Sequence, residues 1–447
     1  MKYTYWLLIF SLFGCKESGD EAKSIKPNIV FIISDDQAWN DYGFMDHQVI
    51  ETPNIDQLAE QSLTYTRGYV SAPLCSPSLA SMMTGLYPHQ HGITGNDPVF
   101  DFAGKKYSEE WLLARKVHFD TLIEEFKNKP LLTNILAEEG YLSMQTGKWW
   151  LGSYKDGGFD YGMTHGEIAR GGRHGDEGLT IGREGMDTIY SFIAKAQQAD
   201  KPFFLWYAPF LPHGPHNPPD SLLQKYLEKV DSEPLASYYA SCEWFDITVG
   251  QLLDHLEQEG LNDNTIVFYV CDNGWLQDPE KMNSYVSGSK RAPYELGIRT
   301  PIMIKWPGRI ESRLDTSTLV SSIDMVPTVM KVLSLPKPES MQGLSLIATD
   351  NLKERNQVFS EVLAHDIESV LEPELSLKYR TVIEGKWKLI VPSNRNLPGE
   401  EAELYQILQD PFEKNNVANQ YPEKVEALKK EINQWWQPAF EIKTSNL

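Results

Sequence analysis

An α/β fold, a mostly parallel sheet flanked by helices with a smaller C-terminal α+β subdomain, is predicted by three features of this sequence. Short, continuously apolar runs recur along it: 28–33 (NIVFII), 202–208 (PFFLWYA), 265–271 (TIVFYVC) and 301–306 (PIMIKW). Runs without polar alternation suit strands buried on both faces. Helical stretches lie between them, the clearest at 232–259, where Tyr238, Tyr239, Trp244, Phe245, Leu252, Leu253 and Leu256 fall at roughly helical spacing. Alternating strands and helices build a sheet covered on both faces, and that aromatic set reads as core packing rather than a ligand site. Finally, the first run leads into Ser34-Asp35-Asp36 and the third directly into Asp272-Asn273, at strand C-termini, where open α/β sheets bind ligands.

In chain order, the N-terminus reads as a targeting segment. Lys2 precedes an apolar run, 5–13, too short to span a membrane and suited to a signal h-region. It ends Leu12-Phe13-Gly14-Cys15, which resembles a bacterial lipoprotein signal with Cys15 lipidated after cleavage; a plain secretory signal containing a cysteine is the alternative. Residues 16–26 (KESGDEAKSIK) are polar and read as a tether. The expected product is an exported lipoprotein, anchored to but not spanning a membrane, in the periplasm or at the outer membrane of a Gram-negative cell.

The 447-residue chain accommodates one large domain, expected at 27–340, and a smaller one at 350–447. A net charge of −21 argues against nucleic acid or an anionic lipid surface as the main partner, so an anionic substrate would need positive charge gathered locally. Only 4 cysteines exclude a disulfide-rich scaffold and leave the pairing of Cys242 and Cys271 open.

Asp35 and Asp36 would repel each other unless a cation held them, and oxygen-only ligands suit Ca²⁺ or Mg²⁺; for the pair alone, a solvated turn is equally ordinary. The stretch 71–92 (SAPLCSPSLASMMTGLYPHQHG) centres on Cys75. Pro77 suits a first helical turn and Gly85 a helix stop, so Cys75 is expected at a helix N-terminus, where free N–H groups and the macrodipole favour an anion. A buried cysteine at a turn is the plainer reading. Near 334–357, Pro336, Pro338 and Gly343 mark a boundary. Beyond it, 358–362, 379–383 and 387–391 read as short strands, with Gly385 turning an antiparallel hairpin, and 423–436 as a terminal helix.

Further segments carry chemistry. Cys75-Ser76-Pro77-Ser78-Leu79 resembles the sulfatase signature Cys-x-Pro-x-Arg, and Gly147-Lys148-Trp149-Trp150-Leu151-Gly152 resembles that family's Gly-Lys-Trp-His-Leu-Gly. Pro212-His213-Gly214-Pro215-His216 matches its Pro-His-x-Pro-His. Asp272-Asn273-Gly274, followed by Lys290 and Glu295-Leu296-Gly297-Ile298-Arg299-Thr300-Pro301, resembles its metal-binding and sulfate-binding segments. The tail, with Glu403-Leu404-Tyr405, Asp410-Pro411, Glu413 and Asn415-Asn416, is similar to its C-terminal subdomain. Taken singly, each is weak, since a lone lysine is usually a solvated charge and a lone histidine a hydrogen-bonded loop residue. In one chain order they identify a resemblance to type I, formylglycine-dependent sulfatases of the alkaline phosphatase-like superfamily, and to bacterial lipoprotein polysaccharide sulfatases among them.

That resemblance implies a formylglycine made from Cys75 by a formylglycine-generating enzyme. It implies one Ca²⁺ held by Asp35, Asp36, Asp272, Asn273 and the modified Cys75. Lys148 and Lys290 would clamp the sulfate, and His213 would protonate the leaving oxygen. A hemiacetal sulfate on the modified residue would then collapse by losing sulfate, a step closed to a thiol. The implied substrate is a sulfated polysaccharide, algal (ulvan, for instance) or glycosaminoglycan, and 12 tryptophans and 21 tyrosines offer stacking surfaces. Two positions depart from the pattern: Leu79 stands where the signature has arginine and Trp150 where it has histidine. His91, Arg170, Arg173 and His174 are candidate compensating groups, with Trp150 and His216 as further candidates for substrate contact. The glycine-rich stretch 166–185 reads equally as a cover over the site or a solvated loop. A phosphodiester or phosphonate ester hydrolase on the same fold, and a catalytically silent carbohydrate-binding homologue, are the alternatives.

Overall fold

The computed structural model describes residues 26–166 and 176–444; Cys15, the tether residues before Lys26, and Arg170, Arg173 and His174 lie outside them. The larger sheet consists of β1 (Asn28–Ser34), β2 (Leu63–Tyr69), β3 (Leu142–Gly147), β4 (Tyr161–Gly162), β5 (Phe203–Ala208), β6 (Thr265–Cys271), β7 (Arg299–Lys305), β8 (Arg313–Asp315) and β9 (Val320–Ser321). Among the described residues its order is β4-β3-β5-β1-β6-β7-β2-β8, with β9 also pairing β2. Neighbours run parallel except around β7, which is antiparallel to both β6 and β2.

The uniform apolarity of β1 follows from its place at the centre of this sheet. Ile29, Phe31 and Ile33 enter the core on one face, and Val30 and Ile32 the core on the other. β6 alternates likewise, Ile266, Phe268 and Val270 against Val267 and Tyr269. The aromatic helix is observed as Glu233–Gln258, capped by the Ser232 hydroxyl, which accepts from Leu235 N–H. Tyr238, Phe245, Leu252 and Leu256 are buried core residues, while Tyr239, Trp244 and Leu253 are half-buried against it.

β2 (LTYTRGY) and β3 (LSMQTG) have no apolar run to announce them, yet both are buried. Their polar side chains are satisfied internally: Thr64 Oγ1 donates to Ala59 O, Ser143 Oγ to Asp160 and Thr146 Oγ1 to Trp206 O, each at 2.9 Å. Buried hydroxyls bonded this way cost little, so hydrophobic pattern alone passes over these strands.

The second sheet is antiparallel, in the order β10 (Gln357–Leu363), β11 (Leu377–Glu384), β12 (Trp387–Pro392), β13 (Glu403–Gln406). Gly385, at φ +57°, makes the tight β11–β12 turn. Helix Pro422–Trp435 packs Val425, Leu428 and Ile432 on Val382, Leu389 and Leu404. This sheet docks beside the strand that leads to Cys75: Ser360 Oγ donates to Val70 O (2.6 Å) and Glu361 N–H to Ser71 O (2.8 Å).

The loop after β1 is pinned to the long helix. Tyr238 O–H reaches Asp41 Oδ2 at 2.7 Å and Asp36 O at 3.2 Å. Burial pushes the Asp41 carboxyl from 3.8 up to about 7, against the hydrogen bonds from Tyr238 and Ala38. An acid whose folded pKa is raised holds its proton more tightly in the fold. Its stability contribution is therefore intact below 3.8 and lost as pH climbs from there through about 7. Asp41→Asn should match the parent in thermal midpoint at pH 4 and exceed it at pH 8, measured by calorimetry across that range. A variant no more stable than the parent at pH 8 would refute this account.

Candidate active site

The C-terminal ends of β1, β3, β5 and β6 meet at one edge of the sheet, and each delivers part of a buried polar cluster. β1 leads to Asp35 and Asp36, β3 to Lys148, β5 to the loop carrying His213, and β6 to Asp272 and Asn273. The fifth contribution is helix Cys75–Thr84, all of whose residues are buried, with Pro77 in its first turn and Gly85 closing it at φ +67°. Cys75 thus sits at a helix N-terminus and is only 3% exposed. The neighbouring Ser76 N–H is taken up by Asn96 Oδ1 at 3.3 Å.

Two backbone features set the aim of these groups. Gly147 has φ +76°, and a Cβ there would lie 1.8 Å from Ala208 O; only glycine lets Lys148 N–H donate to that same carbonyl, at 2.6 Å. Asp36 holds a left-handed φ of +65°, which its N–H bond to Asp272 Oδ1 (3.2 Å) supports. The His213 loop is fastened by Arg183, whose guanidinium donates to Phe210 O (2.7 Å) and His213 O (3.0 Å).

The cluster is a lattice of opposite charges. Lys148 Nζ lies 2.7 and 2.8 Å from the Asp35 oxygens and 3.7 Å from Asp272 Oδ2. Lys290 Nζ is 2.6 Å from Asp36 Oδ1, and Asn273 Nδ2 donates to that oxygen, also at 2.6 Å. His213 donates from Nδ1 to Gly214 O (2.6 Å), which leaves Nε2 facing Asp36 Oδ2 at 3.4 Å. Donor atoms of Asp35, Asp36, Cys75 and His213 all lie within 4.8 Å of one another. Two buried oxygens, Asp272 Oδ2 and Asn273 Oδ1, have no hydrogen-bond partner. Unsatisfied buried oxygens beside carboxylates are what a hard cation would satisfy, so the donor set fits one.

Titration follows the same geometry. Burial works to raise Asp36, but Lys290, His213 and Lys148 outweigh it and hold that carboxyl far below its usual range. Burial, then Asp35, pushes Asp272 well above the ordinary value. Lys148 and Lys290 are raised although burial opposes it, Lys148 chiefly by Asp35 and Lys290 by Asp36. Burial lowers His213 against Asp36. Burial also takes the Cys75 thiol up to about 11, against the pull of Lys148.

A cavity of about 250 Å³ opens onto Cys75, Lys148, His213 and Lys290 and is walled by Leu74, Asn96, Tyr285, Arg291 and His365. Sequence pattern missed Asn96, Tyr285, Arg291 and His365. Arg291 follows Lys290 directly and was findable as a basic pair; nothing local marks His365, which arrives from the second sheet's side of the chain.

Three candidates are corrected. His91 is buried, with Nδ1 accepting from Ile93 N–H (3.1 Å) and Nε2 on Ser81 Oγ (3.0 Å), so it braces the Cys75 helix from within the core. Trp150 is 4% exposed and packs against Trp149, Phe126 and Trp206. His216 packs against Tyr238 and Trp275, and burial drops it to about 4, a neutral core imidazole. Leu79, likewise, is core.

If Lys148 takes part in the site's chemistry, Gly147→Ala should cost turnover on the order of 10²-fold, the effect of displacing a reacting group by about 1 Å, with the far-ultraviolet circular dichroism unchanged. Turnover within twofold of the parent would show that the glycine does not aim Lys148.

Residues 27–335 match the family model described as Sulfatase, and residues 286–437 match N-sulphoglucosamine sulphohydrolase, C-terminal. The chain is 29% identical over 371 residues to human arylsulfatase A, across 72% of this chain and 67% of that protein. It is 23% identical to an ulvan-active sulfatase of Formosa agariphila, across 96% and 84% respectively. Among solved structures, one described as Ps i-CgsB in complex with k-i-k-neocarrahexaose superposes with TM-score 0.70 at 23% identity, covering 92% and 93% of the two chains. A phosphonate monoester hydrolase of Agrobacterium radiobacter superposes with TM-score 0.67 at 16% identity, covering 92% and 95%. At such identities these structural likenesses are ones of fold, the alkaline phosphatase-like α/β architecture.

Proposed function

Because this chain belongs to the sulfatase family, we propose that it removes sulfate from a sulfated polysaccharide or its oligosaccharides, algal or glycosaminoglycan. The observation that carries the reading is the buried lattice of Lys148 and Lys290 on Asp35, Asp36 and Asp272 beside Cys75. The ulvan-active and N-acetylgalactosamine-6-sulfatase relatives support a carbohydrate substrate.

We assign one Ca²⁺ to Asp35, Asp36, Asp272 and Asn273, where it would add positive charge against the sulfuryl oxygens. Cys75, converted to formylglycine by a formylglycine-generating enzyme, would present a hydroxyl to sulfur. A thiol held at about 11 stays protonated near neutral pH and is a poor nucleophile, which supports the need for conversion. Lys148 and Lys290 would hold the sulfuryl oxygens, their side chains fixed by carboxylates rather than waving in solvent. His213, its Nδ1 committed to Gly214 O, would point Nε2 at the leaving sugar oxygen and, in the imidazolium form that Asp36 favours, hand it the Nε2 proton.

Charge selects the substrate. Among the buried groups, and with a bound cation keeping Asp272 ionised, three carboxylates against two lysines leave one net negative charge, which a dication would turn into one net positive; the half-buried Arg291 stands outside this count. A sulfate ester brings one negative charge and neutralises this; a phosphate monoester brings nearly two near neutral pH and overshoots. A phosphodiester or phosphonate ester also brings one, so that reading is separated by assay. The burial of Leu79 and Trp150, where the family pattern has arginine and histidine, favours a second reading, a silent carbohydrate-binding homologue. We further propose that Cys15 carries a lipid and tethers the enzyme at the cell envelope.

The deciding experiment pairs peptide mass of the Cys75 region, from protein made with a modifying system, with kcat/KM on matched aryl sulfate, phosphate monoester and phosphodiester. Inorganic sulfate released from sulfated oligosaccharides is measured alongside, since an aryl ester can fail in a pocket built for sugar. Formylglycine and sulfate release are expected, with sulfate ahead of phosphate monoester. Only unmodified thiol would favour the silent homologue, and diester turnover without sulfate release would favour the phosphohydrolase.

Chelator treatment should lower the thermal midpoint, and Ca²⁺ at about 100 times its Kd should restore about 2.7 kcal/mol of stability. Asp272→Ala should abolish that Ca²⁺ response; an undiminished response would place the cation elsewhere.

A further inference from the structure

Beside the catalytic cavity lies a larger groove, about 530 Å³, whose walls include Phe100, Phe102, Lys106, Tyr107, Trp111 and His365. His365 walls the catalytic cavity too, so the two are neighbours across one side chain. The groove is anchored by long-range backbone pairing: Asn96 N–H donates to His365 O (2.8 Å), Ile367 N–H to Asp97 O (2.8 Å) and Val99 N–H to Ile367 O (2.9 Å). The Arg115–Asp97 ion pair, at 2.8 Å, closes its floor.

Its aromatic groups are not spent on the core. Tyr107 is 65% exposed, and its ring centre stands 4.9 Å from that of Trp111, with Phe100 another 5.7 Å from Trp111. Among the groove's basic side chains, Arg115 is paired with Asp97 and His365 Nδ1 is bonded to Asp366 (2.6 Å). Lys106 instead holds its ammonium over the rings, 5.4 Å from the centre of Tyr107 and 6.0 Å from that of Trp111. Exposed aromatic faces suit the apolar C–H face of a pyranose, and an ammonium above them suits an anionic substituent on that sugar.

We propose that this groove is a second sugar subsite, binding a unit of the glycan next to the one whose sulfate is removed, with Lys106 against a sulfate or carboxylate on that unit. The inference rests on the sulfatase reading above, and it makes an oligosaccharide, not a free sulfated monosaccharide, the preferred substrate.

The test uses size-fractionated oligosaccharides of ulvan, carrageenan and chondroitin sulfate alongside the corresponding sulfated monosaccharides. On whichever glycan is desulfated, kcat/KM should rise with length. Trp111→Ala should lower it about tenfold more on a tetrasaccharide than on the monosaccharide, a difference of about 1.4 kcal/mol. Lys106→Gln and Tyr107→Ala, at exposed positions that do not threaten folding, should show the same length-dependent loss. Equal losses at every length, or no gain with length, would overturn the subsite. Calorimetric binding of the same oligosaccharides to Cys75→Ala protein separates the two readings. Binding weakened by Trp111→Ala, in a protein whose parent desulfates nothing, would keep the subsite and sink the activity; no binding of any oligosaccharide would sink the subsite.

Discussion

Three buried aspartates are held by two ammonium groups, Lys148 on Asp35 and Asp272 and Lys290 on Asp36. Burying like charges together is costly unless opposite charge is fixed among them. The rest of the molecule can be understood as the scaffold that enforces this. Strands β1, β3, β5 and β6 must end at one sheet edge, and the apolar cores on both faces of β1 and β6 hold them there. Removing either lysine would leave a carboxylate uncompensated in a site nearly closed to water, so structure and chemistry depend on the same pairs.

The second sheet is more than an appendage. It donates to the backbone at Val70 and Ser71, a few residues before Cys75, and the segment following β10 supplies His365 to the cavity wall. The segment 95–99, paired with 365–367, then sets the aromatic groove beside the catalytic cavity. Both edges of the site thus rest on contacts between parts of the chain about 270 to 290 residues apart in sequence.

The two departures from the family pattern take a structural form. Leu79 faces inward from a helix with no exposed residue, and Trp150 completes an aromatic cluster with Trp149, Trp206 and Phe126. Among the described residues, positive charge at the cavity comes from Lys148, Lys290 and Arg291.

Much of the fold was legible because burial on both faces writes itself locally: β1, β5 and β6 are apolar at every turn, and Asp35-Asp36 and Asp272-Asn273 follow where such strands stop. Cys75 at its helix start was equally legible, since Pro77 and Gly85 act within a few residues. β2 and β3 were not, because they bury hydroxyls and an amide whose hydrogen bonds are met inside the fold, so polar residues stand where an apolar run would mark a strand. Side-chain direction was the other thing that only the tertiary structure decided. His91, Trp150 and His216 carry suitable chemistry but are turned into the core, whereas Asn96, Arg291 and His365 face the cavity because backbone pairing and packing set the direction. Sequence by itself thus determined which groups exist and which strand ends bear them, as those depend on local pattern. Which of them share one cavity was decided by long-range pairing, which no local pattern encodes.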